Sequence, residues 1–177
     1  MNRLVTLMIV SIIIAVAIVS SALNSYTMTP VACTVNGTTL TEGEAKALAA
    51  IRPYSIMLRN FNCETAEQTC DLIKQIKNAS PRTVISIDIE CSIVNRLKNF
   101  MPLDRTTRDF EYESSEYVYN YLQPIAQNVK KLGIDIVFGP VTDICDDVKS
   151  FLYKRTFSGD PDTVIKLSIA NAVVQRT

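Results

Sequence analysis

Three apolar runs in the sequence stop at polar side chains that could do chemistry. Asn60 follows YSIMLR, Asp88 and Glu90 end ISIDIE, and Asp143 follows IDIVFGPVT. Residues two apart on a strand project to the same side, so Asp88 and Glu90 place two like charges together. Such a pair needs a partner or a ligand. Each acid alone reads as a cap on a neighbouring amide or as the partner of an arginine such as Arg59 or Arg96. Four polar side chains converging from three elements read instead as a ligand site.

Composition excludes several chemistries. The chain of 177 residues has no histidine, so it offers no Ser-His-Asp or Cys-His nucleophile and no histidine acid or base. Its five cysteines, Cys33, Cys63, Cys70, Cys91 and Cys145, form no Cys-x-x-Cys pair, and without histidine they make a poor zinc set. They read mostly as small buried apolar residues. No cofactor or metal is expected. With 18 basic and 18 acidic residues, net charge gives no reason to expect nucleic acid as a partner.

The elements that would position these groups follow from periodicity. Residues 30–40 are a polar lead-in, and Thr41 with Glu44 forms a capping box for a helix that Pro53 stops after Ile51. A strand over 54–59 and a turn over 60–62 follow. Ala66, Cys70, Ile73 and Ile76 mark one face of a helix over 64–77, and residues 83–89 form a second strand. A long polar connection then leads to a helix whose face is Tyr117, Tyr121, Ile125, Val129 and Leu132, with Pro124 as a possible kink and Gly133 as its end. Residues 134–141 make a third strand. Asp160 and Pro161 open a last helix supported by Val164, Leu167 and Val174. A helix followed by strand and helix three times predicts parallel strands with right-handed crossovers. In that arrangement the strands' carboxyl ends share one face, where Asn60, Asp88, Glu90 and Asp143 fall.

Residues 4–23 carry no charge after Arg3 and run into a small-residue stretch. They read as a signal peptide or a membrane-spanning hydrophobic helix, with the remainder sent across the membrane. The expected organisation is a leader over 1–22, a lead-in over 23–37 and one domain over 38–177.

IDIECSIVNRL resembles the segment I-D-Q-E-G-G-R-V-Q-R-L of family-three glycoside hydrolases, especially bacterial beta-N-acetylhexosaminidases that trim peptidoglycan fragments. TTLTEGEAKALAAIRPYSIMLRNFNCETAEQ resembles that group's entry helix, first strand and R-N turn. LGIDIVFGPVTDI resembles its F-x-P-V-x-D strand, and KRTFSGDPDTV its R-S-F-G-x-D-P loop. The resemblance covers residues 38–175 and is specific when the segments are taken together.

The resemblance implies the amino-terminal part of a (β/α)8 TIM-type barrel, about three βα units of it. It implies that Asp88 holds sugar hydroxyls, that Arg155 contacts the same sugar, and that Glu90, Asp143 and Asn60 orient neighbouring loops and donors. The family's Lys-His loop, His/Asp acid-base pair and Asp nucleophile come later in its chains, so no residue here takes a catalytic role. A whole barrel needs about 250 residues. The implied ancestral substrate is an N-acetylglucosamine-terminated glycan of the kind met in peptidoglycan recycling. Open sheet edges would call for self-association or a complementing chain, and a gene remnant is the other reading. Cys91, Ser92 and Ile93 stand where the family has Gly-Gly-Arg, which predicts a deformed site and favours the remnant; Ser158 replaces a common glycine. Members of this group commonly act in the cytoplasm, and translation from Met28 would give a leaderless product.

Overall fold

The computed structural model describes residues 11–16 and 27–174. Most of the apolar segment over 4–23 lies outside the described residues; the six that are described, 11–16, are helical. Among the described residues, no helix is long and apolar enough to cross a membrane.

The core is a parallel sheet flanked by helices. Its elements are β1 (Thr29–Cys33), α1 (Glu42–Ile51), β2 (Pro53–Leu58), α2 (Ala66–Ala79), β3 (Val84–Glu90), β4 (Val94–Asn95), α3 (Ser115–Lys131), β5 (Ile136–Phe138) and α4 (Pro161–Val174). Strands β1, β2, β3 and β5 pair in that order, all parallel, and β4 folds back antiparallel on the end of β3. The described residues therefore supply four βα units, one more than the periodicity predicts. The addition is β1, in the stretch read as a polar lead-in. All five of its residues are exposed, so it lacks the continuous apolar pattern of a buried parallel strand.

The two faces of the sheet differ. Ile56 and Leu58 on β2 and Ile85, Ile87 and Ile89 on β3 are buried against Leu48, Leu72, Ile73 and Ile76 from α1 and α2. Each such aliphatic side chain contributes about 1.5–3 kcal/mol when fully buried. The opposite face carries Ser55 and Ser86, whose hydroxyls are 2.8 Å apart, followed along β3 by Asp88 and Glu90. Alternation along β3 thus packs isoleucines under the helices and sends serine and carboxylates the other way.

Local signals set the helix boundaries. Thr41 accepts from the Glu44 amide while the Glu44 carboxylate accepts from the Thr41 amide, the expected capping box. Asp160 accepts from the Thr163 amide at 2.8 Å and opens α4. Gly133 follows α3 with φ of 89°, and α3 continues through Pro124.

Two buried stripes differ in part from the predicted ones. On α2 the buried residues are Thr69, Leu72, Ile73 and Ile76, while Ala66 is exposed. On α3 Val118, Leu122 and Val129 are buried and Tyr121, Ile125 and Leu132 pack partly buried against the core, so of the predicted face only Tyr117, 44% exposed, departs. Tyr117 lies at the surface, where Arg105 donates to its hydroxyl at 3.0 Å, while Tyr121 keeps its ring edge-on to Phe110 and donates its hydroxyl to Asp104. An amphipathic ring settles where its polar end finds a partner. Val164, Leu167 and Val174 of α4 are buried as predicted, and they pack with α3 around Phe110 and Phe157.

At the amino ends of the strands, Asp135 accepts from the Ile85 amide and from Lys77, each at 2.8 Å. This clamp ties α2, β3 and the start of β5 together, far from the carboxyl ends.

Candidate functional site

Asp88 and Glu90 leave β3 at its carboxyl end, on the face that carries Ser86. The short β4 pairs Asn95 with Ile89 and Val94 with Glu90, which returns the chain beside β3. Arg96 therefore comes back over Asp88, eight residues after it. Its Nε and Nη2 donate to Asp88 Oδ2 at 3.1 and 2.8 Å, and its Nη1 donates to Asn60 Oδ1 at 3.0 Å. One guanidinium thus joins the end of β3 to the turn after β2. Arg59, the other candidate partner, instead lies 4.0 Å from the Met57 sulfur.

Glu90 has its own cation. Arg155 Nε donates to Glu90 Oε2 at 2.7 Å and Nη2 to Oε1 at 2.9 Å, a two-pronged pair with side chains 25% and 11% exposed. The bond to Glu90 is the main influence raising the Arg155 pKa, and the charges of Asp143 and Asp88 add to it. Asp143 is exposed and joins the cluster through its charge on Arg155. The five predicted site residues are thus gathered at one end of the sheet, in two ion-paired groups that share β3.

Arg96 is the residue that carries most of this geometry, and sequence reasoning treats it only as a possible partner for an acid. The signal was its position: a hairpin of this length brings residue i+8 back to residue i. Phe138 was missed as well. It is the parallel neighbour of Asp88 in the register and is 47% exposed.

The hairpin turn holds the altered segment. Cys91 adopts φ of 59°, a left-handed conformation that glycine takes without strain. The hairpin closes around this residue, so the cost of replacing glycine falls on the Cys91 backbone. Cys91 is buried, and burial pushes its thiol up to about 11. Cys63 is likewise buried and pushed up to about 11, and all five cysteines are free. Ile93, where the related segment has arginine, is 46% exposed.

The loop between β5 and α4 is fastened from two sides. Arg108, itself buried, donates to the carbonyls of Tyr153 and Cys145 and stacks 4.3 Å from the Tyr153 ring. Ser158 donates to Glu111 at 2.6 Å and accepts from the Asp160 amide at 3.0 Å. The serine in a glycine's place therefore ties this loop to the one after β3. Among the described residues, no group of histidine, cysteine, aspartate or glutamate is arranged to hold a metal ion.

This arrangement can bind a polar ligand through carboxylates and guanidinium groups on a rigid strand end. The chain as a whole is similar to several known proteins. A beta-hexosaminidase from Thioalkalivibrio sulfidiphilus is 27% identical over 151 residues, covering 78% of this chain and 42% of that protein. One from Idiomarina loihiensis is 29% identical over 142 residues, covering 76% of this chain and 42% of its own. The chain therefore spans less than half the length of these relatives. Among solved structures, NagZ from Neisseria gonorrhoeae in complex with N-trifluoroacetyl-D-glucosamine superposes with a TM-score of 0.73 at 23% identity, over 84% of this chain and 47% of that one. A family-three glycosyl hydrolase from Mycobacterium smegmatis gives 0.68 at 22%, over 81% and 44%. These likenesses show the fold: four βα units of a TIM-type barrel. The model of the glycosyl hydrolase family 3 N-terminal domain matches residues 24–175, and the chain belongs to that family.

Proposed function

We propose that these residues form the sugar-holding half of a beta-N-acetylhexosaminidase-type barrel, binding a terminal N-acetylglucosamine without hydrolysing its glycosidic bond. The observation that carries the reading is the Asn60–Arg96–Asp88 chain beside the Glu90–Arg155 pair at the carboxyl end of β3. Only Oδ2 of Asp88 takes part in the Arg96 bonds, which leaves Oδ1 to accept from a sugar hydroxyl. Arg155, fixed by Glu90, donates to the same sugar. Asn60, Glu90 and Asp143 hold these groups in place.

Hydrolysis by the usual route needs two catalytic groups flanking the bond. Here Glu90 has both oxygens bonded to Arg155, Asp88 is tied to Arg96, and the chain holds no histidine. A whole enzyme with this amino-terminal half would draw its acid and its nucleophile from the other βα units of the barrel. The relatives' name, beta-hexosaminidase, supports a hexosamine-containing glycan as ligand, and the motif resemblance supports peptidoglycan fragments as its source. For residues 4–23 the uncharged apolar sequence supports a leader or anchor that carries the domain across a membrane; initiation at Met28 would leave it in the cytoplasm.

Isothermal titration of the full chain with N-acetylglucosamine tests this. Saturable binding that is lost in Asp88→Ala and in Arg155→Ala, with no turnover of an aryl N-acetylglucosaminide, supports it. Turnover by the chain alone, or binding indifferent to both substitutions, contradicts it.

A further inference from the structure

The polar cluster has an apolar neighbour that the reading above does not use. Phe151 is 76% exposed, and its ring centroid lies 5.7 Å from the carbon at the centre of the Arg155 guanidinium. The two residues are four apart on a turn in which the Tyr153 amide donates to the Ser150 carbonyl and the Arg155 and Thr156 amides donate to the Leu152 carbonyl. On a helical turn, side chains four apart are neighbours. The Ser150 amide donates to the Asp147 carbonyl, and Arg108 grips the carbonyl of Tyr153. The ring is therefore presented by a fastened segment, next to a cation that Glu90 fixes in turn.

A pyranose is amphipathic: its hydroxyls lie around the ring edge, and one face presents C–H bonds. Binding sites for such ligands combine a few placed polar groups with apolar or aromatic surface. Arg155 and Asp88 supply the first. Phe151 supplies an exposed aromatic ring beside Arg155, and Phe138 stands next to Asp88 on the neighbouring strand. We infer that Phe151 is a specificity-determining residue: its ring stacks on the C–H face of the bound sugar and selects equatorially substituted pyranoses such as N-acetylglucosamine. This rests on the sugar-binding reading above and assigns a residue to it. A sugar whose axial hydroxyl projects from that face would lose the stack while keeping the edge contacts.

The chain contains no tryptophan, so Phe151→Trp creates a single fluorescent reporter at the site. Titration of the full-length variant with N-acetylglucosamine should shift its emission to the blue and saturate at the concentration that half-saturates the unsubstituted protein by calorimetry. Tyr54→Trp, at the opposite end of the sheet, should not respond. Phe151→Ala should weaken binding about tenfold, as expected for loss of an aromatic contact, and Phe151→Tyr should restore it. Because Phe151 is largely exposed, the alanine variant should unfold at the urea concentration of the unsubstituted chain, which separates lost stacking from lost folding. Equal affinity in the alanine variant while the unsubstituted chain binds sugar would overturn the assignment and leave the sugar-binding reading standing. Absence of binding by the unsubstituted chain would overturn both.

Discussion

Removing either partner of the Asp88–Arg96 pair should reveal how firmly the site is pre-assembled, and the geometry predicts unequal costs. Arg96 makes two bonds to Asp88 Oδ2 and one to Asn60, while Asp88 draws both of its bonds from Arg96. The side chains are 25% and 18% exposed, between surface and interior. Exposed pairs couple by about 0.2–1 kcal/mol, and breaking a buried pair costs about 3–5 kcal/mol, so a coupling of about 2 kcal/mol is expected here. Arg96→Ala leaves the Asp88 charge without its cation and should cost about 3 kcal/mol; Asp88→Ala leaves Arg96 with Asn60 and should cost about 2 kcal/mol. The double variant should cost about as much as Arg96→Ala alone. With a urea slope of about 2 kcal/mol/M, the midpoints fall by about 1.5, 1 and 1.5 M. A double variant falling by the sum of the singles, about 2.5 M, would mean that the two residues do not interact and would refute the clamp.

Other consequences follow from the same geometry. Cys91→Val should destabilise by about 1–2 kcal/mol more than Cys91→Ala, although valine is larger and apolar, because a β-branched residue resists positive φ; equal urea midpoints would count against strain at this turn. Gly139→Ala should cost about 2–3 kcal/mol, since an added Cβ would sit 2.7 Å from the Ile89 carbonyl oxygen, where Phe138 flanks Asp88; an unchanged thermal midpoint would show that this approach yields. The buried thiols Cys63 and Cys91, pushed up to about 11, should make the fold weaken in alkali. Their contribution is fully present below the unfolded thiol value of about 8.5 and is lost as pH rises toward about 11, because the unfolded state gives up its protons first. Cys91→Ala should therefore lose less stability than the unsubstituted chain between pH 8 and pH 10, as read by urea midpoints.

Much of this architecture is legible in the sequence because its signals are local. The Thr41–Glu44 box, the Asp160–Pro161 start and the alternation in ISIDIE each state their own conformation, and together they put Asp88 and Glu90 on one face at a strand end. The strand Thr29–Cys33 was not legible, since an edge strand exposed along its whole length has no apolar pattern to read. The tyrosines of α3 divide: Tyr121 packs partly buried against Phe110, as its period predicts, while Tyr117 lies 44% exposed with its hydroxyl held by Arg105. In the site, the acids could be found but their pairing could not. That Arg96 takes Asp88 and Arg155 takes Glu90 depends on a two-residue strand and on a loop anchored by Arg108, neither of which has a sequence period.

The claim at the centre is that a half-barrel keeps a working sugar subsite. Its most direct test is a urea unfolding curve of the full chain, followed by circular dichroism with and without N-acetylglucosamine. A ligand held by the folded form alone at about ten times its dissociation constant adds about 1.4 kcal/mol, so a single cooperative transition should move upward by about 0.7 M at a slope of about 2 kcal/mol/M. A broad transition that sugar does not move would contradict the account.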